Sequence, residues 1–202
     1  MRLFRLLVPI ALLMSACAAP PPPDPIAPLP EEPWLTGPPE PTQVIGSDLS
    51  RLLLAVPPAA DRGLRYKGLN ARYLFAQQLD GGAIYYARYA KAYHIPEGTD
   101  AGALSDRLYR TVLAERVGIA PNAVRRSTRE LPFGPAEVVE AHGPALACAA
   151  FFAPLRVGKE ARPGTDDAYL HGAYCAPPEG GALGGDPWAG LEKVLRSAVL
   201  RE

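Results

Sequence analysis

Proline is concentrated in one stretch of this chain, and that stretch limits how much of the sequence can fold. Eleven of the 24 prolines lie between Pro20 and Pro41. Proline fixes φ and removes a backbone donor, so this stretch is unsuited to a helix or to the inside of a sheet. It favours an extended polyproline II conformation instead. We therefore expect a disordered proline-rich arm over residues 17–43 and a single folded domain over residues 44–202.

The folded part is large enough to need no help from a metal, and the net charge of the whole chain argues against one class of partner. A domain of about 155 residues buries roughly 70 % of the surface of its unfolded chain. Basic and acidic residues each number 21, which gives a formal net charge of zero. Bulk positive charge therefore does not indicate binding to nucleic acid. We expect no nucleic-acid partner and no cofactor.

Residues 1–16 have the layout of a secretory signal peptide. Arg2 and Arg5 form a short positive region, and an apolar stretch runs from Leu6 to Met14. That stretch is too short for a membrane-spanning helix, which needs about 20 residues. We therefore predict export with cleavage, and an uncleaved membrane anchor is the alternative.

The signal segment ends in the sequence LMSAC, whose last residue is Cys17. This order resembles the lipobox of bacterial lipoproteins, although Met14 stands where leucine is usual. The resemblance covers residues 1–17 and implies that Cys17 becomes the first residue of the mature protein, carrying three acyl chains with palmitate among them. Three chains exceed what stable anchoring needs. Ala18 after the cysteine favours the outer membrane, so we expect a lipid-anchored envelope protein facing the periplasm.

The proline-rich arm begins at the lipidated end and contains four acids and no base. At ~3.1 Å per residue, about 26 extended residues reach roughly 80 Å. Such an arm would hold the domain well away from a membrane surface. The alternative is a docking motif for an aromatic groove, with Trp34 and Leu35 as its apolar anchors.

The domain itself is predicted to be α+β, with an antiparallel sheet of about five strands packed by about three helices. Apolar and alternating stretches predict strands over residues 71–79, 83–95, 136–142, 145–155 and 167–176. Helical spacing and capping residues predict helices from Ser47 to Pro57, over 102–117 with Thr99 or Asp100 as the cap, and from Pro187 onward with Asp186 as the cap. The segment 83–95 also has a helical alternative. The basic residues Arg125, Arg126 and Arg129 are interpreted as a solvated loop.

Two cysteines remain once Cys17 is assigned to lipid. An even number in an exported chain predicts a disulfide between Cys148 and Cys175. Each lies on a predicted strand, and neighbouring strands bring Cα atoms within the range that a disulfide requires. A pair of buried free thiols is the alternative.

Bases and tyrosines are interleaved between Arg62 and His94, six of each. Tyrosines with cations can stack on sugar rings or hold an anionic envelope polymer. The plainer interpretation is cross-strand aromatic pairing that stabilises a sheet. The candidate ligand-binding residues are Tyr85, Arg88, Tyr89, Lys91 and Tyr93. On a strand, Arg88 would lie on the opposite face from the other four.

No pattern in the sequence points to catalysis. The three histidines, His94, His142 and His171, have spacings that fit no metal motif. The chain contains no G-x-S-x-G nucleophile elbow, and its glycine-rich stretch 180–185 lacks the Lys-Ser/Thr of a P-loop. We therefore predict no enzyme, no catalytic residue and no metal site. The weakest alternative is a hydrolase with a site near His142 and His171.

These observations predict a lipid-anchored envelope protein whose domain is a non-enzymatic interaction or assembly module. Its partner would be another envelope protein or a cell-wall polysaccharide. The alternative is a lipoprotein that binds a sugar polymer or a small anionic ligand through the hairpin rich in tyrosine and arginine.

Overall fold

The structure, a computed structural model, describes residues 43–69, 72–89, 100–157 and 168–201. Ten strands are present among them: β1 Gln43–Ile45, β2 Leu52–Leu53, β3 Asp61–Leu69, β4 Arg72–Leu79, β5 Gly82–Tyr89, β6 Arg125–Leu131, β7 Gly134–His142, β8 Ala147–Leu155, β9 Ala168–Ala176 and β10 Val199–Leu200. The helical elements are α1 Ala101–Ser105, a π-helical segment Asp106–Arg110, α2 Thr111–Val117, a 3₁₀ turn Pro121–Ala123 and α3 Pro187–Leu195.

Eight of the strands form one antiparallel sheet in the order β1-β3-β4-β5-β9-β8-β7-β6. Hairpins join most neighbours, and β9 pairs with β5, which connects the two halves of the sheet. The strands β2 and β10 form a separate two-stranded pair. The predicted antiparallel α+β architecture is therefore present, with eight strands in the sheet where about five were expected.

One side of the sheet, which we call the α3 face, is covered by α3 and by the chain around β2. Asp186 caps α3 by accepting a hydrogen bond from the Ala189 amide at 3.0 Å, and Pro187 begins the helix. This matches the cap predicted from the sequence. The fully buried side chains on this face include Leu52, Leu79, Ile84, Tyr86, Phe151, Leu170, Tyr174, Leu191 and Leu195.

The other side, which we call the long-helix face, is covered by the continuous helical stretch 101–117. The Asp100 carboxylate caps this stretch by accepting from the Ala103 amide at 3.0 Å. Gly118 ends it with φ of 72°, a left-handed conformation that favours glycine. The predicted helix over 102–117 is confirmed, and it differs only in its central π-helical turn. With α3, it gives two helices within the described ranges, where about three were expected.

The predicted central position of β8 is also confirmed. Its nine residues are buried except for partly exposed Pro154, and it pairs with β7 on one side and β9 on the other. The segment 83–95, for which a strand was preferred to a helix, forms β5 as far as Tyr89. Residues 90–99 lie outside the described part of the chain.

Two local predictions are wrong. Residues 47–57 form turns and the short strand β2, because the Ser50 hydroxyl bonds to the Leu52 backbone and β2 pairs with β10. Residues 125–131 form strand β6, not a loop. An edge strand that is exposed on both faces has no apolar alternation, so the usual sequence signal is missing there.

No helix among the described residues is long and apolar enough to cross a membrane.

Candidate functional site

The candidate ligand-binding residues on β5 are divided between the two faces of the sheet. Tyr85 packs on the long-helix face. Arg88 pairs with Tyr73 and shares the opposite face with Tyr86, as strand alternation requires. The Tyr89 side chain, Lys91 and Tyr93 lie outside the described part of the structure. Binding of a polymer or anion by this hairpin therefore stays a prediction.

Tyr85 belongs instead to a cluster of aromatic rings centred on His171. The Tyr85 ring stacks on the His171 imidazole with centroids 5.1 Å apart. Tyr169 lies 5.6 Å and Phe152 lies 6.3 Å from the same imidazole. His171 is only 8 % exposed, which is unusual for a residue that carries a polar ring.

Tyr109 supplies the hydrogen bond that this buried imidazole needs. Its hydroxyl lies 2.5 Å from His171 Nδ1, and which of the two donates depends on the tautomer of the imidazole. Tyr109 lies in the π-helical segment, where a wider turn changes the direction of the side chains. The bond joins the long helix to the middle of β9.

Arg116 of α2 lies close to the same cluster. Burial lowers the pKa of its guanidinium, and the neighbouring Tyr85 phenol acts in the opposite direction. At neutral pH the arginine still carries its charge, because its ordinary pKa lies far above 7. The cluster is therefore a mostly apolar site with one Tyr–His pair and a cation beside it.

His142 does not join His171. His142 lies at the end of β7 and its Nε2 is 4.0 Å from Glu140 Oε1, on the α3 face. His171 lies on the long-helix face. The sheet separates the two rings, so the hydrolase site that required both histidines is not formed. Within the described ranges, no three His, Cys, Asp or Glu side chains come together as metal ligands.

Cys148 and Cys175 lie directly opposite each other on β8 and β9, on the long-helix face. Their Sγ atoms are 2.03 Å apart, the length of a disulfide bond. The pairing is the one that the sequence predicts. Cys17 lies outside the described residues.

An open pocket of about 300 Å³ lies at the β4–β5 turn, beside this disulfide. Tyr174 forms part of its wall, and the Tyr174 hydroxyl accepts a hydrogen bond from the Leu183 amide at 2.9 Å. Asp80 is the acid in the wall, and it forms an ion pair with Arg62 at 3.2 Å. The lining residues are Asp80, Gly81, Leu146, Tyr174, Cys175, Pro177, Gly181 and Ala182.

Sequence reasoning missed the roles of Tyr109 and Arg116. The helix prediction places both correctly along the chain, but their partners lie on β5 and β9. Tyr109 and His171 are 62 residues apart. The only sequence signal was a histidine inside the apolar segment 167–176, which indicates that a buried imidazole needs a partner.

Comparison of the chain with known protein families, with curated proteins and with solved structures finds no match.

Proposed function

We propose that this chain is an exported lipoprotein of the cell envelope, held by acyl chains on Cys17, whose domain is a non-enzymatic interaction or assembly module. The observation that carries the proposal is the Cys148–Cys175 disulfide inside the sheet. Disulfides persist in oxidising compartments such as the periplasm. A disulfide in the domain therefore agrees with the export signal and lipobox-like sequence at residues 1–17.

The arm between anchor and domain fits this arrangement. The sheet begins at Gln43, and the preceding residues include the eleven clustered prolines. An arm of roughly 80 Å allows the domain to meet a partner at a distance from the lipid surface. We assign the outer membrane, with the domain in the periplasm, as the site of action.

The assembly role is supported by the edge of the sheet at β6. This strand has seven residues and is the last in the sheet order. Backbone N–H and C=O groups at such an edge are free to pair with another strand. Strand addition at an exposed edge is a recurrent mode of protein recognition.

The anchoring half of the proposal is tested by fractionating cells that produce the full chain or its Cys17→Ser variant. The wild-type chain should incorporate labelled palmitate and remain with the membranes. The Cys17→Ser variant should lose the label and leave the membrane fraction. An unlabelled wild-type chain, or a variant that still takes up palmitate, would contradict the proposal.

The assembly half is tested by cross-linking in intact cells. The anchored chain should form discrete cross-linked species larger than the monomer. A chain that stays monomeric at every cross-linker concentration, while a known envelope complex is captured in the same cells, would refute an assembly role.

A further inference from the structure

Among the residues that the structure describes, no strand pairs with the outer edge of β6. Its residues Arg125–Glu130 are exposed, except for the half-buried Ser127. The strand contains neither proline nor glycine. Proline and bulges, two of the usual blocking devices of edge strands, are therefore missing, but four charged side chains, a third such device, are present. A second strand can pair here in a register that places opposite charges together.

The backbone groups available for pairing follow from the register with β7. The two strands meet at Leu131 and Gly134 across a two-residue turn. Antiparallel pairs alternate between hydrogen-bonded and non-hydrogen-bonded, so residues 125, 127, 129 and 131 direct their N–H and C=O groups toward β7. The N–H and C=O groups of Arg126, Thr128 and Glu130 therefore point away from the sheet.

The side chains of β6 are complementary to themselves about Thr128. An antiparallel second copy of β6, centred there, places Thr128 opposite Thr128 and Arg126 opposite Glu130, with the charged pair formed twice. All of these residues have outward-pointing backbone groups, so the pairs would be hydrogen-bonded. We propose that two copies of this chain pair through β6 about a two-fold axis at Thr128, which extends the sheet from eight strands to sixteen.

The charges of β6 also select this register over its neighbours. If the two-fold axis passed through Ser127, Arg125 would lie opposite Arg129. If it passed through Arg129, that residue would lie opposite its own copy. A centre at Arg126 or Glu130 would likewise bring identical charges together. Like charges directly opposite each other destabilise a strand pair. The register at Thr128 is the one among these five that avoids such a contact.

Ser127 gives an independent reason for a partner at this edge. Its hydroxyl oxygen is buried and has no hydrogen-bond partner among the residues that the structure describes. In the proposed register, Arg129 of the second copy lies opposite Ser127 on the same face. Once Ser127 turns about χ1 toward the edge, the guanidinium can donate to that oxygen, because arginine carries five donors.

Arg126 is held by an ion pair with the long helix. Its Nη1 lies 3.3 Å from Asp106 Oδ2, and its side chain remains 45 % exposed. Asp106 in turn accepts two hydrogen bonds from Arg110, both at 2.9 Å. The Arg126 guanidinium can therefore remain paired with Asp106 and also form an ion pair with Glu130 of a second copy.

This inference deepens the proposed assembly role and rests on it, since it names the partner. The backbone pairing itself does not require the lipid anchor. An edge-to-edge contact is small, and anchoring on one membrane would favour it by raising the effective concentration of the domains.

The test is a cysteine placed at the two-fold axis of the full chain. Cα atoms of a hydrogen-bonded pair lie ~5.5 Å apart, which is within the range for a disulfide. Thr128→Cys should therefore give a covalent dimer under mild oxidation in membranes or detergent. Arg125→Cys is the matched control, since it keeps both charged pairs and two copies of residue 125 would be about 20 Å apart. The wild-type chain shows how much covalent dimer forms without an introduced cysteine, for example through Cys17.

A second set of variants tests the charges. In the Thr128→Cys chain, Arg126→Glu or Glu130→Arg should each reduce the rate of dimer formation about tenfold, because like charges replace both pairs. The double variant that exchanges the two charges should restore part of the rate, since a glutamate at position 126 re-forms both pairs but also lies near Asp106. Absence of a Thr128→Cys dimer in a folded chain, equal cross-linking of Arg125→Cys, or no recovery in the charge exchange would each overturn the proposal. Palmitate labelling is read separately, so a failed dimer does not imply failed anchoring.

Discussion

The two faces of the sheet are built from the same strands but are stabilised by different interactions. The α3 face contains mainly leucine, isoleucine and aromatic side chains around α3. The long-helix face contains the Cys148–Cys175 disulfide and the aromatic cluster around His171. Consecutive residues of one strand, such as Phe151 and Phe152, therefore enter two chemically different cores. Ring pairs occur on both faces, since Phe75 packs against Tyr66 and Tyr86 on the α3 face. Among the described residues, the disulfide and the hydrogen bond of the buried histidine belong to the long-helix face.

The largest expected effect comes from removing the two neighbouring phenylalanines one at a time. Phe151 is fully buried and Phe152 is 2 % exposed. Phe151→Ala and Phe152→Ala should each reduce the free energy of unfolding by about 3–5 kcal/mol, measured by denaturant titration. If either substitution costs less than about 1 kcal/mol, the corresponding face is not a packed core.

Leucine substitutions at the same positions sharpen the difference between the faces. The Phe152 ring stacks on Tyr169 with centroids 5.5 Å apart. Phe152→Leu should therefore reduce the free energy of unfolding by ~0.5–1.5 kcal/mol more than Phe151→Leu. Within the described structure, the Phe151 ring forms no comparable pair. Equal costs would show that the ring contacts add nothing beyond burial.

Removing the disulfide is the next largest change. The two cysteines are 27 residues apart, and replacing both by alanine should reduce stability by about 2–4 kcal/mol. Reducing the disulfide of the wild-type chain should lower the free energy of unfolding by a similar amount. The same reductant should leave the free energy of unfolding of the double variant unchanged. A reductant effect of equal size in the variant would assign the loss to something other than this bond.

The Tyr109–His171 pair should have a smaller effect. Tyr109→Phe removes the hydroxyl and should cost about 1–3 kcal/mol, because it takes away a hydrogen bond of a buried imidazole. His171→Leu should then cost less in the Tyr109→Phe chain than in the wild type. Strictly additive costs in this double-mutant cycle would mean that the two side chains do not interact.

The smallest effect concerns alkaline pH and Tyr174, which packs on the α3 face beside the pocket. Burial raises the pKa of Tyr174, the Leu183 hydrogen bond acts against this, and Asp80 raises it further. The folded state therefore favours the neutral phenol. The stability that the neutral phenol adds is fully present below the ordinary tyrosine pKa of about 10, which applies to the unfolded chain. It is lost as pH rises through the higher pKa of the folded state.

Thermal unfolding between pH 8 and 11 measures this contribution. Tyr174→Phe should flatten the loss of Tm with pH, whereas Tyr73→Phe, at a side chain 42 % exposed, should leave the slope as in the wild type. Identical slopes in all three chains would show that Tyr174 does not couple ionisation to folding.

The parts of the fold that the sequence predicts are those with strong local signals. The apolar run of β8 indicates a strand buried on both faces, and Asp100 and Asp186 indicate helix starts. The pairing of Cys148 with Cys175 follows from there being only two cysteines after Cys17. Each of these inferences depends on short stretches of sequence.

The missed parts depend on contacts that are distant in sequence. Strand β3 contains charged residues and two glycines, and β6 is exposed on both faces, so neither has an apolar pattern. The site around His171 combines residues of the long helix with strands β5, β8 and β9. Periodicity within one segment carries no information about which segments meet.

The intact mass of the protein extracted from membranes tests the central claim most directly. The account predicts a chain of residues 17–202 carrying three acyl groups, with Cys148 and Cys175 alkylated only after reduction. A mass equal to the unmodified chain from Met1, or alkylation of these two cysteines without reductant, would contradict a lipid-anchored, exported protein.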